Sequence, residues 1–262
     1  MDDLDRYLNE DLGEEGDITS NSLFTDESAE GKIIVKEDCI VAGLKEAEMI
    51  FNKSKVNISL KVKDGDFIKK GSIVAIINGQ ARSILKLERL VLNIIGRMSG
   101  IATETKKLLE ICRKYNTKVT IAATRKTTPG FRKYEKKAVE IGGGEPHRFG
   151  LFDAVMIKDN HIKLIGSIEE AIKITKSKVK SKIIEVEVEN EEDAIIAAKL
   201  YVDVIMLDNF DPKSAEYVTK KIKKINPNIL VEISGGITVD NITDYASFAD
   251  RISLGYLTNS IK

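Results

Sequence analysis

The sequence has 262 residues, enough for one large α/β domain or for a barrel with a smaller companion. Lys plus Arg and Asp plus Glu are equal at 41 each, so the formal net charge is zero; a general pull toward nucleic acid or acidic membranes is excluded, and any basic site must be local. No uninterrupted apolar run approaches the roughly 18 residues that a membrane-spanning helix needs.

The chain opens on MDDLDRYLNEDLGEEGD, an acidic stretch without the basic and apolar regions of a signal peptide. Cys39 and Cys112 lie far apart and fit no metal or redox spacing, so a cytoplasmic location and two inert thiols are expected. GKIIVKEDCIVAG and VNISLKVKDGDFIKKGSIVAIINGQ carry strand-like alternation broken by Asp-Gly and Lys-Gly turns. The second is similar to the DGD…KG hairpins of biotinyl and lipoyl carrier domains, which would modify a lysine such as Lys69 or Lys70. It has no Met-flanked lysine on an exposed tip, so only a common β-pattern is implied. ARSILKLERLVLNIIGRMSGIATETKKLLEICRKY then places apolar residues at helical spacing, and its small-residue stretch SGIAT predicts a break between two helices.

From residue 117 the texture changes. Six Val/Ile-rich strand candidates recur, KVTIAAT, FDAVMIK, KIIEVEV, VDVIMLD, ILVEIS and ADRISLG, with amphipathic helical patterns between them. That alternation predicts a parallel sheet buried on both faces, two strands short of a full β/α barrel. The boundary falls near 115: residues 1–115 form an N-terminal α/β part with connecting helices, and 116–262 form the catalytic part, with a tail that can return to the first. No GxGxxG follows the first strand, which argues against a dinucleotide fold. Gly142-Gly143-Gly144 follows a helical pattern without a P-loop lysine and is expected to end that helix.

Chemistry collects where the six strands stop. IAATRKTTPGFRK gathers Arg125, Lys126, Arg132 and Lys133 around one Pro-Gly turn, a repulsive arrangement unless an anion sits among them. FDAVMIK runs into Lys158-Asp159-Asn160-His161, Glu185, Glu187 and Glu189 alternate along the third strand, and the fourth ends in Asp208-Asn209. Ser234-Gly235-Gly236 and Ser253-Leu254-Gly255 end the last two, where glycines let backbone N–H groups approach a phosphate. Each feature alone is ordinary: a basic cluster is commonly a solvated face and Gly-Gly commonly a turn. Six polar strand ends converging on one barrel mouth point to an anion-binding active site.

TRKTTPGFR, GGGEPHRFGLFDAVMIKDNH, EVEVEN, IMLDN, EISGGI and ISLGYLT, in this order, resemble the quinolinate phosphoribosyltransferase family, the decarboxylating nicotinate-nucleotide pyrophosphorylases. LNEDLGEEGDIT and LERLVLNIIGRMSGIAT extend the resemblance over nearly the whole chain; Ala123, where many members carry an acid, is a small departure that leaves the basic residues intact. The resemblance implies an open-faced α/β sandwich followed by an incomplete, about six-stranded β/α barrel. It implies transfer of phosphoribose from phosphoribosyl pyrophosphate to quinolinate, yielding nicotinate mononucleotide, pyrophosphate and carbon dioxide with Mg2+. By position, Arg125, His147 and Arg148 would hold the dicarboxylate, with Thr124 beside them. Lys126 and Lys158 would sit between both anions. Glu187 and Asp208 would serve the ribose and Mg2+, directly or through water. Ser234, Gly235, Gly236, Gly255, Tyr256 and Leu257 would hold the 5′-phosphate. Lys126, Lys158, Glu187 and Asp208 would carry catalysis. Arg89 in LERLVLN would enter the site of the other subunit of a homodimer, itself free to build larger assemblies. His161 would orient Lys158 and its loop. The alternatives are a related phosphoribosyltransferase-like paralogue, a nicotinate phosphoribosyltransferase, and a Schiff-base β/α-barrel aldolase using Lys158; the intact HR and KDNH favour quinolinate.

Overall fold

A computed structural model describes residues 3–261. In chain order the first elements are α1 (Asp3–Leu12), α2 (Ile18–Leu23), β1 (Ser28–Ile34), β2 (Cys39–Ile40), α3 (Leu44–Lys53), β3 (Asn57–Leu60), β4 (Phe67–Ile68), β5 (Ile73–Gln80) and α4 (Ala81–Arg113). After α4 come β6 (Thr120–Ala122), α5 (Arg132–Ile141), β7 (Val155–Ile157), α6 (Asp159–Ile165), α7 (Ile168–Lys178), β8 (Ile184–Val188), α8 (Glu191–Lys199), β9 (Val204–Asp208), α9 (Pro212–Ile225), β10 (Leu230–Ser234), α10 (Thr243–Ala246), β11 (Arg251–Ser253) and α11 (Tyr256–Asn259).

Two compact units divide the chain differently from a cut at 115. The described residues up to Lys106, together with Thr128–Gly143, Ser260 and Ile261, make one unit; Lys107–Thr127 and Gly144–Asn259 make the other. In the first unit β1, β5 and β3 form an antiparallel sheet in the order β1-β5-β3, while β2 pairs with β4. Residues of β1 and β3 alternate between covered and exposed, β5 buries Val74, Ala75 and Ile77, and α3 buries Leu44, Ala47, Ile50 and Phe51, the one-sided cover of an open-faced sandwich. DGDFIKKG supplies β4 and two turns at Gly65 and Gly71, both at positive φ, and Lys69 there pairs with Asp38 at 3.0 Å.

The predicted helix break at SGIAT is absent: α4 runs unbroken for 33 residues. The small residues serve close approach instead. Ser99 Oγ accepts the Ala42 N–H at 2.9 Å, and Thr103 Oγ1 accepts that of Ile40 at 2.9 Å, so the hydroxyls satisfy backbone that bulkier side chains would hold away. Gly142, expected to end a helix, caps α5. A Cβ there would lie 2.5 Å from Ala102 O and 2.8 Å from Thr105 Cβ. Gly142→Ala should therefore cost about 1–3 kcal/mol, since both neighbours belong to a rigid helix. Thermal denaturation should show a lower midpoint; an unchanged one would mean that the helix yields freely.

The second unit carries all six expected strands as one parallel sheet in the order β6-β11-β10-β9-β8-β7. Branched apolar side chains suit strands buried on both faces: Ile121, Val186, Ile205, Leu207, Val231, Ile233 and Ile252 are all essentially inaccessible. Side-chain and Pro signals begin the helices between them. Ser167, Asn190 and Asp211 each accept an N–H of the first turn, and Pro212 opens α9. The first and second strands in chain order, β6 and β7, stand at the two edges and do not pair, so the barrel is incomplete. Glu145 extends the β6 edge by a single bridge: its N–H reaches Ile121 O at 2.8 Å and its carbonyl takes the Ala123 N–H at 3.0 Å.

Candidate active site

Parallel strands bring their carboxyl ends to one side, and there a cleft of about 390 Å3 opens. Thr124, Arg125 and Lys126 after β6, Lys158 after β7, Glu187 on β8, Asp208 on β9 and Ser234 on β10 all line it, as do His147 and Arg148 from the seam beyond Glu145. Thr124 shapes the basic turn: its hydroxyl accepts the Lys126 N–H at 3.0 Å. Thr258 Oγ1 of α11 donates to the Lys126 carbonyl at 2.7 Å and ties the turn down. Arg132 and Lys133 begin α5 in the other unit and do not line the cleft.

The cleft has a cationic and an acidic side. Burial presses on the charge of Arg148, and Arg125 beside it adds repulsion, partly offset by Glu185 and Glu187. Arg125 Nε is buried without a hydrogen-bond partner among the described residues. Two adjacent guanidinium groups, one with an orphaned donor, have the charge and geometry to accept a planar anion. On the acidic side, burial and then the neighbouring Glu187 raise the Asp208 pKa, while Lys158 and Lys126 pull the other way. Lys158 Nζ is ion-paired with Glu187, and Asn209, at φ 58°, donates its side-chain amide to Asp208 at 2.7 Å. The Lys158 amine is thus engaged rather than free for a Schiff base. His161 sits one turn into α6, where its Nδ1 accepts the Lys158 N–H at 2.9 Å and fixes the start of that helix.

The other predicted positions fall outside the lining. Gly235 and Gly236 follow β10 at φ 82° and 61°, and a Cβ on Gly235 would lie 2.7 Å from Asn209 N, so only glycine fits. Gly255 packs against the Lys126 side chain, where a Cβ would come within 2.9 Å of Lys126 Cδ. Leu257 has its side chain in the barrel core and Tyr256 packs against that core, so both could serve a phosphate only through the backbone. Arg89 is exposed on α4 and is not among the lining residues. Cys39 and Cys112 are free thiols, and burial lifts Cys112 to about 11, which keeps it inert.

Sequence reasoning missed what lies under the cleft. His147 Nε2 is 3.2 Å from Glu232 Oε2 and 3.3 Å from Glu185 Oε2. Glu232 accepts from Arg251 Nη1 at 3.0 Å, and Arg251 reaches Glu145 at 2.5 and 2.9 Å. Thr120 Oγ1 contacts Glu145 at 3.2 Å. A line of polar contacts thereby runs from the Thr120 hydroxyl on β6 through half-exposed Glu145 to buried Arg251 on β11, Glu232 on β10, His147, and Glu185 on β8. A signal existed: Glu232 and Arg251 are charges inside apolar strand patterns, and buried charges of opposite sign must pair.

Known proteins resemble the chain over nearly its whole length. Residues 17–99 match the family described as Quinolinate phosphoribosyl transferase, N-terminal domain, and residues 101–262 match its C-terminal domain. A probable nicotinate-nucleotide pyrophosphorylase [carboxylating] of Archaeoglobus fulgidus is 43% identical over 248 residues, 94% of either chain. One of the same description from Bacillus subtilis is 42% identical over 265 residues, covering 99% of this chain and 89% of the relative. The crystal structure of nicotinate-nucleotide pyrophosphorylase from Ehrlichia chaffeensis superposes with a TM-score of 0.93 at 37% identity, covering 99% of this chain and 94% of that one.

Proposed function

The chain belongs to the quinolinate phosphoribosyltransferase family, and from that premise we infer how its cleft works. It is an enzyme that transfers the phosphoribosyl group of phosphoribosyl pyrophosphate to quinolinate with decarboxylation. The products are nicotinate mononucleotide, pyrophosphate and carbon dioxide. The observation that carries the assignment of roles is the pairing of Arg125 and Arg148 with His147 on one wall and of Glu187 with Asp208 on the other, joined by Lys126 and Lys158.

Arg125, Arg148 and His147 take the two adjacent carboxylates of quinolinate; planar forks match planar carboxylates. Lys126 and Lys158 stand between both anions and steady the departing pyrophosphate. Ser234 and the backbone of Gly235, Gly236 and Gly255–Leu257 receive the 5′-phosphate. As the bond to pyrophosphate lengthens, the ribose gains positive charge, which the carboxylates of Glu187 and Asp208 stabilise. The ring nitrogen of quinolinate attacks the anomeric carbon and becomes cationic. Electrons from the carbon–carboxylate bond then flow toward that nitrogen, and carbon dioxide leaves. The chain supplies charge and geometry, and needs no covalent nucleophile.

Mg2+ fits the acidic wall: two carboxylates on neighbouring strands offer hard oxygen donors whose mutual repulsion a cation relieves. Glu187 and Asp208 would hold it, directly or through water. When bound it neutralises pyrophosphate charge. Arg89, exposed and away from the lining, suits the shared site of a homodimer, in which it completes the partner's cationic wall. Among the described residues no helix is long and apolar enough to cross a membrane. Together with two free thiols, this suits a cytoplasmic location.

The test is substrate choice. Nicotinate lacks one carboxylate and would leave a buried cation unpaired, so kcat/KM should favour quinolinate by on the order of a hundredfold or more. Product formation from each acid with phosphoribosyl pyrophosphate and Mg2+ measures it. Comparable turnover of nicotinate would sink the assignment.

A further inference from the structure

His147 is held in an unusual way. Its backbone has φ 56°, a left-handed conformation that a side chain with a Cβ adopts only under constraint. Its side chain is almost wholly covered, 7% exposed, although it lines the cleft. Both ring nitrogens are engaged: Nε2 faces the two buried carboxylates, and Nδ1 takes the Arg148 N–H at 2.8 Å.

Glu185 makes a poor structural residue. Its side chain is 3% exposed, and among the described residues it pairs with His147 while Oε1 has no hydrogen-bond partner. A buried carboxylate satisfied on one oxygen weakens a fold relative to a neutral group of the same shape. Glu232 is completely buried and likewise has an orphaned Oε1, but it also neutralises Arg251. Glu185 shares its face of β8 with Glu187, and Glu232 shares its face of β10 with Ser234, so both acids lie on faces that lead up to the cleft.

We propose, building on the assignment of His147 to a substrate carboxylate, that Glu185 and Glu232 are positioning residues that grip Nε2 and so fix the ring in the cleft wall beside Arg148. Every charged group facing the ring bears on this: Glu185 on β8, Glu232 on β10, Arg251 on β11 with its partner Glu145, and the adjoining Arg148, next to Arg125. Burial alone would lower the imidazole pKa; hydrogen bonds to Glu185 and Glu232 outweigh it and raise the ring to about 9. The Arg148 N–H needs a lone pair at Nδ1, which the charged ring lacks. Two carboxylates against one backbone N–H favour the charged ring near neutral pH. The charged ring then adds its positive charge to the wall that Arg148 and Arg125 form.

The test is Glu185→Gln in the full chain, which keeps volume and removes the charge. The chain has two histidines, His147 and His161, so nitrogen NMR of histidine-labelled protein can follow each ring without any turnover. The His147 titration should move to lower pH by one unit or more, while that of His161 stays. KM for quinolinate at pH 8 should rise about tenfold, the loss of a charge-assisted hydrogen bond, with KM for phosphoribosyl pyrophosphate within about twofold. The melting temperature should hold or rise. Glu232→Gln should shift His147 the same way but melt lower, since Arg251 loses a partner. An unmoved His147 titration would overturn the proposal, as would an unchanged KM for quinolinate or an equal rise in both KM values together with a fall in melting temperature. So would a stoichiometric transition metal that survives chelation in the parent protein and is lost in Glu185→Gln. If the parent protein turned over no quinolinate, the functional assignment would fall, and the His147 titration would still decide whether Glu185 sets the ring.

Discussion

Glu187→Gln and Asp208→Asn should each lower turnover at saturating substrates by on the order of a hundredfold or more, while quinolinate affinity stays within about threefold. Both substitutions keep shape and remove charge. The positive charge they answer develops on the ribose only as pyrophosphate departs, so the loss falls on the transition state and not on the bound ground state. Glu187 has a second task, because its carboxylate holds Lys158. Removing it frees an ammonium that can follow either anion, so Glu187→Gln should also raise KM for phosphoribosyl pyrophosphate more than Asp208→Asn does. Steady-state kinetics combined with calorimetric titration of quinolinate separates these effects. Collapse of quinolinate affinity with unchanged saturated turnover would place the two acids on the wrong substrate.

The second large effect is a gain. Arg89→Ala and Lys158→Ala homodimers should each be nearly inactive, and mixing them under subunit exchange should restore activity. Arg89 is exposed on α4, whereas Lys158 lines the cleft. If Arg89 serves the other subunit, a mixed dimer has one site with both defects and one with neither, so recovery can approach about half per mixed dimer. Product formation before and after exchange gives the result, with mixed dimers counted by native mass spectrometry. Confirmed mixed dimers without recovery would return Arg89 to its own chain or exclude it from the site.

Much of the fold was legible because it follows from short-range rules. Val and Ile at strand positions, caps such as Ser167 and Asn190, and glycines after strands announce each β/α unit without knowledge of its neighbours. The stretch SGIAT misled because small residues have two uses. They weaken a helix, and they admit a neighbouring backbone; within α4, Ser99 and Thr103 do the second by bonding Ala42 and Ile40, 57 and 63 residues away. The cleft was legible through its strand ends, since a parallel sheet brings those together whatever its exact pairing. The polar line from Glu145 to Glu185 was not, because its contacts span up to 106 residues and depend on which strands are neighbours. Leu257 shows the same limit: a motif position marks a segment, and packing decides whether side chain or backbone faces the ligand.

A closed hoop of strands spreads its tension evenly, but this one is cut between β6 and β7 and buckled there by Glu145, bridged to β6, and by Arg148, which donates to Ala154 O at 3.3 Å beside β7. Opening there breaks no continuous ladder of backbone hydrogen bonds, and so costs less than parting any two paired strands. His147 and Arg148 ride on that buckle. Warmth should therefore loosen the hold on quinolinate while the strands are still joined, making grip, rather than the fold itself, the first thing this enzyme loses.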